Sequence, residues 1–161
     1  MHDMLEPARA PAFSFDVVCL DKDGNEKWRE HCHNLVTSAA KNDVLDKYFK
    51  GSSYTASWNL GLKGTGSAAA GDTLASHSGW SEVTPYSGNR PSITFGTTSG
   101  GSNTASTVTY SINATATVAG AFICSAASGT SGTLYNAVDF SSSRSVQSGD
   151  TLNVTPTVTQ S

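Results

Sequence analysis

Residues 106–159 read STVTYSINATATVAGAFICSAASGTSGTLYNAVDFSSSRSVQSGDTLNVTPTVT, and the fold turns on how this stretch is read. Val, Thr, Ile, Tyr and Phe recur in short runs, and such side chains suit a pleated, half-buried surface because branching or a ring near the backbone packs against cross-strand neighbours. Four runs stand out, 106–114, 115–126, 132–140 and 150–159, with SGTSG and SSSRSVQSGD as separators rich in turn-forming residues. Strands spaced by about 8–12 residues and divided by turn residues predict an antiparallel sandwich or barrel. Phe122, Leu134 and Leu152 are the candidate core residues of these runs.

Toward the N-terminus the pattern continues. TASWNLGLK, residues 55–63, alternates Ala56, Trp58, Leu60 and Leu62, which share one side of a strand and predict Trp58, Leu60 and Leu62 in the core. The preceding TSAAKNDVLDKYFKG is the one helical pattern, near residues 38–50. Thr37 or Ser38 can cap it, Gly51 can stop it, and Ala40, Val44, Leu45, Tyr48 and Phe49 recur at helical spacing, with Val44 and Leu45 as core candidates. FSFDVVCL and KWREHCHNLV flank Asp23-Gly24, a hairpin signal, and Trp28 joins the predicted core. Together these runs offer about seven or eight strands for two packed sheets with one helix at an edge.

Between Gly64 and Gly100 the chain is rich in Gly, Ser, Thr and Pro, and GDTLASHSGWSEVTPY reads as a long loop pinned by Trp80 and Tyr86, with Asp72 as a turn cap. Residues 1–12 hold two prolines, scattered charges and no periodicity. They are expected to form an extended arm ahead of a single domain, 13–161, and to gain order by contact with another subunit. Met4, Leu5 and Pro7 of this arm, with Trp80, Tyr86 and Arg90, are the candidate interface residues.

A chain of 161 residues is the size of one domain. Charged residues make up 14% where about a quarter is usual, and Ser, Thr and Gly replace them, a β-rich composition. A net charge of -3 and scattered Lys and Arg provide no basic stripe, so nucleic acid is not an expected partner. No apolar run approaches the roughly 18 residues that cross a bilayer, and MHDMLEPARAPAF has no basic region leading into an apolar one. A soluble, unexported protein with no membrane partner is expected. Cys19, Cys32 and Cys124 cannot close a disulfide framework and are expected as free, buried or half-buried thiols.

Chemistry-bearing patterns are sparse. SAAK, Ser38 to Lys41, matches a serine-activating S-x-x-K, but neither S-D-N nor K-T-G follows, which favours a capped helix with a solvated lysine. His31 and His33 share one face of a strand, yet no third and fourth ligand stands at recognisable spacing. DKDGN begins like a calcium loop, but Gly24 occupies the fourth place and Cys32 the position of the closing Glu, so a hairpin turn is expected. Asn113 and Asn153 lie in N-x-S/T sequons that matter only in a secreted eukaryotic chain. No catalytic, cofactor or metal site is expected, and binding is the default function.

Several strings taken together resemble small virion proteins of tailed phages: KWREHCHNLVTSAAKNDVLDKYFKG, SWNLGL, GDTLASHSGWSEVTPYSGNRP, VAGAFICS, GTLYNAVDF and SVQSGDTLNV. The chain is similar to capsid decoration, or cement, proteins. The resemblance implies a jelly-roll-like β-sandwich, no enzymatic activity and no cofactor. It further implies partners in the major capsid protein and in other copies of the chain as a dimer or trimer, and a place on the outer capsid surface after synthesis in the bacterial cytoplasm. TTSGGSNTAS departs from that pattern as a longer surface loop. The rival reading is a receptor- or glycan-binding module of a tail or head fibre, exposing Tyr54, Trp80 or Tyr86 in a shallow groove.

Overall fold

Alternation becomes two layers. In β1 (Ala12–Leu20) every second side chain, Phe13, Phe15, Val17 and Cys19, is buried. The turn after it closes on Asp21, whose Oδ1 accepts from the backbone N–H groups of Asp23 and Asn25 at 2.9 Å each, and β2 (Glu26–His33) returns beside β1. The computed structural model describes residues 11–33, 35–54 and 56–160. The predicted arm therefore lies almost wholly outside the described residues, and β1 already begins at Ala12.

The remaining elements are β3 (Leu35–Val36), α1 (Ser38–Val44) with a π-helical turn (Leu45–Phe49), β4 (Asn59–Gly66), β5 (Trp80–Val83), β6 (Ser102–Thr104), β7 (Val108–Ser111), β8 (Ala116–Cys124), β9 (Leu134–Val146) and β10 (Thr151–Thr159). Two five-stranded antiparallel sheets result. One runs β2-β1-β10, with β6 and β7 both pairing along the far side of β10; the other runs β3-β9-β8-β4-β5. The all-β sandwich with one short helix near residues 38–50 is the fold that the alternation predicts.

Phe15, Val17, Leu152 and Val154 of the first sheet meet Leu60, Leu62, Val118 and Ile123 of the second in the main core. Outside it, threonine hydroxyls link β10 to its neighbours, Thr104 to Thr157 at 3.0 Å and Thr107 to Thr155 at 2.7 Å. Cross-strand Thr pairs stabilise a solvated sheet face without charge, which is where the Thr-rich composition is used.

β4 and β8 are buried on both faces. A small second core of Leu74, Trp80, Phe122, Cys124, Leu134 and Ala137 covers the outer face of the second sheet. Gly61 makes room for it: a Cβ there would stand 2.1 Å from the Phe122 ring. Lys63 is wholly buried beneath this layer, paired with Asp139 at 2.8 Å and donating to the carbonyls of Gly64 and Gly66.

The two sheets are also tied at one edge. Glu30 of β2 lies buried against β9, accepting from Arg144 Nε at 2.7 Å and from Ser141 Oγ at 2.9 Å. Trp28 beside it is half-buried, donating to the Ser145 carbonyl at 3.2 Å. β9 runs on through Ser141–Val146, residues that read as part of a separator, because Arg144, Ser145 and Val146 continue the ladder with Val118, Thr117 and Ala116 of β8. Arg144 also reaches Glu30 of β2, and Val146 is buried.

Of the predicted core residues, Leu60, Leu62, Phe122, Leu134 and Leu152 are buried, while Trp28, Val44 and Trp58 are half-buried. Leu45 requires a correction, being 56% exposed. The helix widens into its π turn there, Lys50 N–H donating to the Leu45 carbonyl at 3.2 Å, and the helical spacing that would turn Leu45 inward ends one residue earlier.

Two measurements check this packing. Phe122→Ala should lower unfolding free energy by about 3–5 kcal/mol in urea titration; a loss below about 1 kcal/mol would mean the outer layer is not a core. Burial pushes the Glu30 carboxyl up, but its bonds to Arg144 and Ser141 outweigh that and leave it below the usual range. A depressed folded value stabilises above the unfolded pKa and is lost as pH falls, so melting temperature should drop from about pH 5 to about pH 3. Glu30→Gln should flatten that slope while melting lower at neutral pH.

Candidate functional site

Three candidate interface residues turn out to be internal braces. Trp80 is buried: its Nε1–H donates to Asp72 Oδ2 at 2.8 Å, and the His77 ring stacks on it at 4.0 Å and 18°. Arg90 is buried in a two-pronged pair with Glu82, 2.8 Å from Nε and 2.7 Å from Nη2, and donates to the carbonyls of Ala126 and Gly129 at 3.0 Å each. Tyr86 packs on Tyr110 with ring centroids 4.7 Å apart, and burial pushes its phenol up to about 12. For Trp80 and Arg90 the physical reason is the second core: a polar-looking loop folds down as a lid because they find partners in Phe122, Asp72 and Glu82. Tyr86 packs instead into the main core beside Tyr110. Met4, Leu5 and Pro7 lie outside the described residues.

The exposed apolar surface is elsewhere, on the helix. Thr37 Oγ1 caps α1 by accepting from Ala40 N–H at 3.1 Å and donates to the Leu134 carbonyl, which pins the helix start to β9. Ser38 N–H donates to the Ala70 carbonyl of the lid loop at 2.9 Å. The far end is less constrained. Gly51, with φ of +75°, turns the chain away, and Tyr48 and Phe49 stand 82% and 75% exposed, ring against ring at 5.0 Å.

These rings line one side of a groove of about 860 Å³ walled also by Phe13, Val36, Val44, Tyr135 and Val158. It is overwhelmingly apolar, and contiguous exposed apolar surface of this kind marks interaction sites in soluble domains.

The remaining motifs settle into structural places. Ser38 opens α1, and Lys41, exposed, lines the edge of the apolar groove. His31 Nδ1 meets Asp16 Oδ1 at 2.8 Å and its ring meets His33 edge-on at 5.0 Å. Among the described residues no group of three or more His, Cys, Asp and Glu side chains is placed to hold a metal ion, and no helix is long and apolar enough to cross a membrane. Cys19, Cys32 and Cys124 are buried free thiols, and burial pushes Cys19 and Cys32 up to about 11 and about 12.

A family model described as podophage GP4 fiber I protein gp80 matches residues 35–160. Neither a curated protein nor a solved structure matches significantly.

The lid makes its own prediction. Asp72→Ala leaves the buried Trp80 N–H without its acceptor and should cost about 1–3 kcal/mol in chemical unfolding. Adding Trp80→Phe, which removes the orphaned donor, should recover part of that loss. Additive losses in the double variant would show that the two side chains do not work as a pair.

Proposed function

We propose, from the fact that the chain belongs to the podophage GP4 fiber I protein gp80 family, that it is a fibre subunit that works by docking onto other subunits of the virion. Membership makes it a phage structural protein; the docking mode is our reading. The observation that carries it is the exposed face of Leu45, Tyr48 and Phe49 along the apolar groove. Leaving such rings in water costs roughly 25 cal/mol for every Å² that a partner could cover.

The face is a groove whose own wall carries the exposed Tyr48 and Phe49 rings. A second copy of this chain, turned about a twofold axis, can place its rings in the first copy's groove and receive the first copy's rings in its own, the self-complementary arrangement of isologous contacts. Other copies of the chain are therefore the partner we favour. The function is architectural, with no bond made or broken and no cofactor required. The net charge of -3 favours a protein partner over nucleic acid.

A capsid decoration protein, bridging subunits of the major capsid protein on the outer shell, is the second reading. It is supported by the resemblance carried by KWREHCHNLVTSAAKNDVLDKYFKG and GDTLASHSGWSEVTPYSGNRP, and it would use the same face.

Tyr48→Ser with Phe49→Ser tests the proposal. Both side chains are exposed, so unfolding free energy should move by no more than about 0.5 kcal/mol, while self-association in sedimentation equilibrium should weaken at least tenfold and copies per purified particle should fall. Gold labelling then separates a fibre position from the shell. A wild-type chain that stays monomeric and a double variant that enters particles at full occupancy would together sink this reading.

A further inference from the structure

On the neighbouring face of the same helix, one position round from Val44 and Tyr48, a second and chemically different cavity of about 200 Å³ opens. Asp43 and Lys47, one helical turn apart, form one wall. Tyr54 and Trp58, from the connection into β4, form another, and Thr133 and Tyr135 at the start of β9 close it. Three rings run in series: Trp58 meets Tyr135 edge-on at 4.2 Å and 80°, and Tyr54 lies 6.5 Å from Trp58. Tyr135 Oη–H donates to Asp43 Oδ2 at 2.8 Å, which fixes the carboxylate at the cavity wall. Burial and this bond both push the Tyr135 phenol well up, so it keeps its proton and remains the donor. Lys47 Nζ donates to the Ser53 carbonyl at 2.7 Å, which holds the ammonium beside the opening.

The chemistry of these walls selects among ligands. The cavity is smaller than the ~300–1,000 Å³ of drug-sized sites, so it takes one small ring. A phosphate finds a single cation and faces the Asp43 carboxylate. A quaternary ammonium needs a gap between rings, but Trp58 and Tyr135 are in contact, and Lys47 adds a repelling charge. A pyranose matches both halves. One face of a sugar ring is a patch of C–H groups, attracted to the electron-rich face of an aromatic ring. Its rim is hydroxyls, which donate to a carboxylate with lone pairs to spare and accept from an ammonium with three protons.

We propose that this notch binds a single pyranose unit, with Tyr54 and Trp58 as the platform, Asp43 as acceptor and Lys47 as donor. The unit is either a free monosaccharide or a residue of a larger glycan, and the chemistry is the same for both. The proposal does not rest on where the chain sits in the virion, nor on which subunit covers the groove on the other flank.

Saturation-transfer NMR on the full chain with glucose, galactose, rhamnose and N-acetylglucosamine tests the free sugars, and an array of bacterial polysaccharide fragments tests the polymers. At least one arm should respond, a free sugar binding with a millimolar Kd through its ring protons; a free-sugar signal, with or without the array, means a single or terminal unit is read, and signal on the array alone means an internal one. Tyr54→Ala should weaken binding at least tenfold. Tyr54 is 55% exposed, so the melting curve should not move. Asp43→Asn, which can still accept from Tyr135, should weaken it to a similar extent. Silence on both arms, or binding by either variant equal to wild type, overturns the proposal.

Discussion

Everything distinctive in this sandwich follows from burial of its second sheet on both faces. A sheet with one dry face alternates apolar and polar side chains and needs no cover. β4 and β8 instead place Phe122 and Cys124 on the outer side, with Gly61 giving up its side chain to admit the Phe122 ring. That face has to be roofed. The connection from Gly66 to Trp80 does so, with Leu74 and Trp80 packed into the second core and Asp72 and His77 holding the Trp80 ring in place.

The roof also settles the polar groups. Lys63 lies on the covered side of β4 and is completely enclosed, a position a lysine tolerates only when paired and hydrogen-bonded; Asp139 and two backbone carbonyls meet that need. Arg90 closes the far end, its guanidinium 5.4 Å over the Phe122 ring and its fork on Glu82. A planar, always-charged fork matches a carboxylate in a way that a lysine does not. The lid loop is therefore committed inward, with Trp80 packed into the second core.

What is left for function is the end of the molecule that the roof does not reach. The helix is anchored at its start, through Thr37 to β9 and Ser38 to the lid loop, and extends past that anchor in a π turn none of whose side chains is buried. One flank is apolar and continues into the groove along β1 and β10; the adjacent flank is polar and meets the rings of Trp58 and Tyr135. Rigid anchoring matters for both, because a surface ordered before binding loses less entropy on association.

The sequence by itself determined what local rules control. The period of two in Phe13, Phe15, Val17 and Cys19, the Asp23-Gly24 turn and a helix cap at Thr37 or Ser38 were legible because each depends on residues a few positions apart. So was the sandwich, since alternating runs must bury one face against another. Only the tertiary structure decided which aromatics were spent inward and which were left outside. Arg90 read as a surface candidate and Leu45 as core in a helical pattern, and each is reversed; Trp80, read both as an interface candidate and as the anchor of its loop, is the anchor. Trp80 and Arg90 find their partner in Phe122, far along the chain, while Leu45 is left outside by a π turn that helical spacing does not announce. Periodicity tells a side chain which way to point from its own strand; it carries no information about what the rest of the chain will lay over that face.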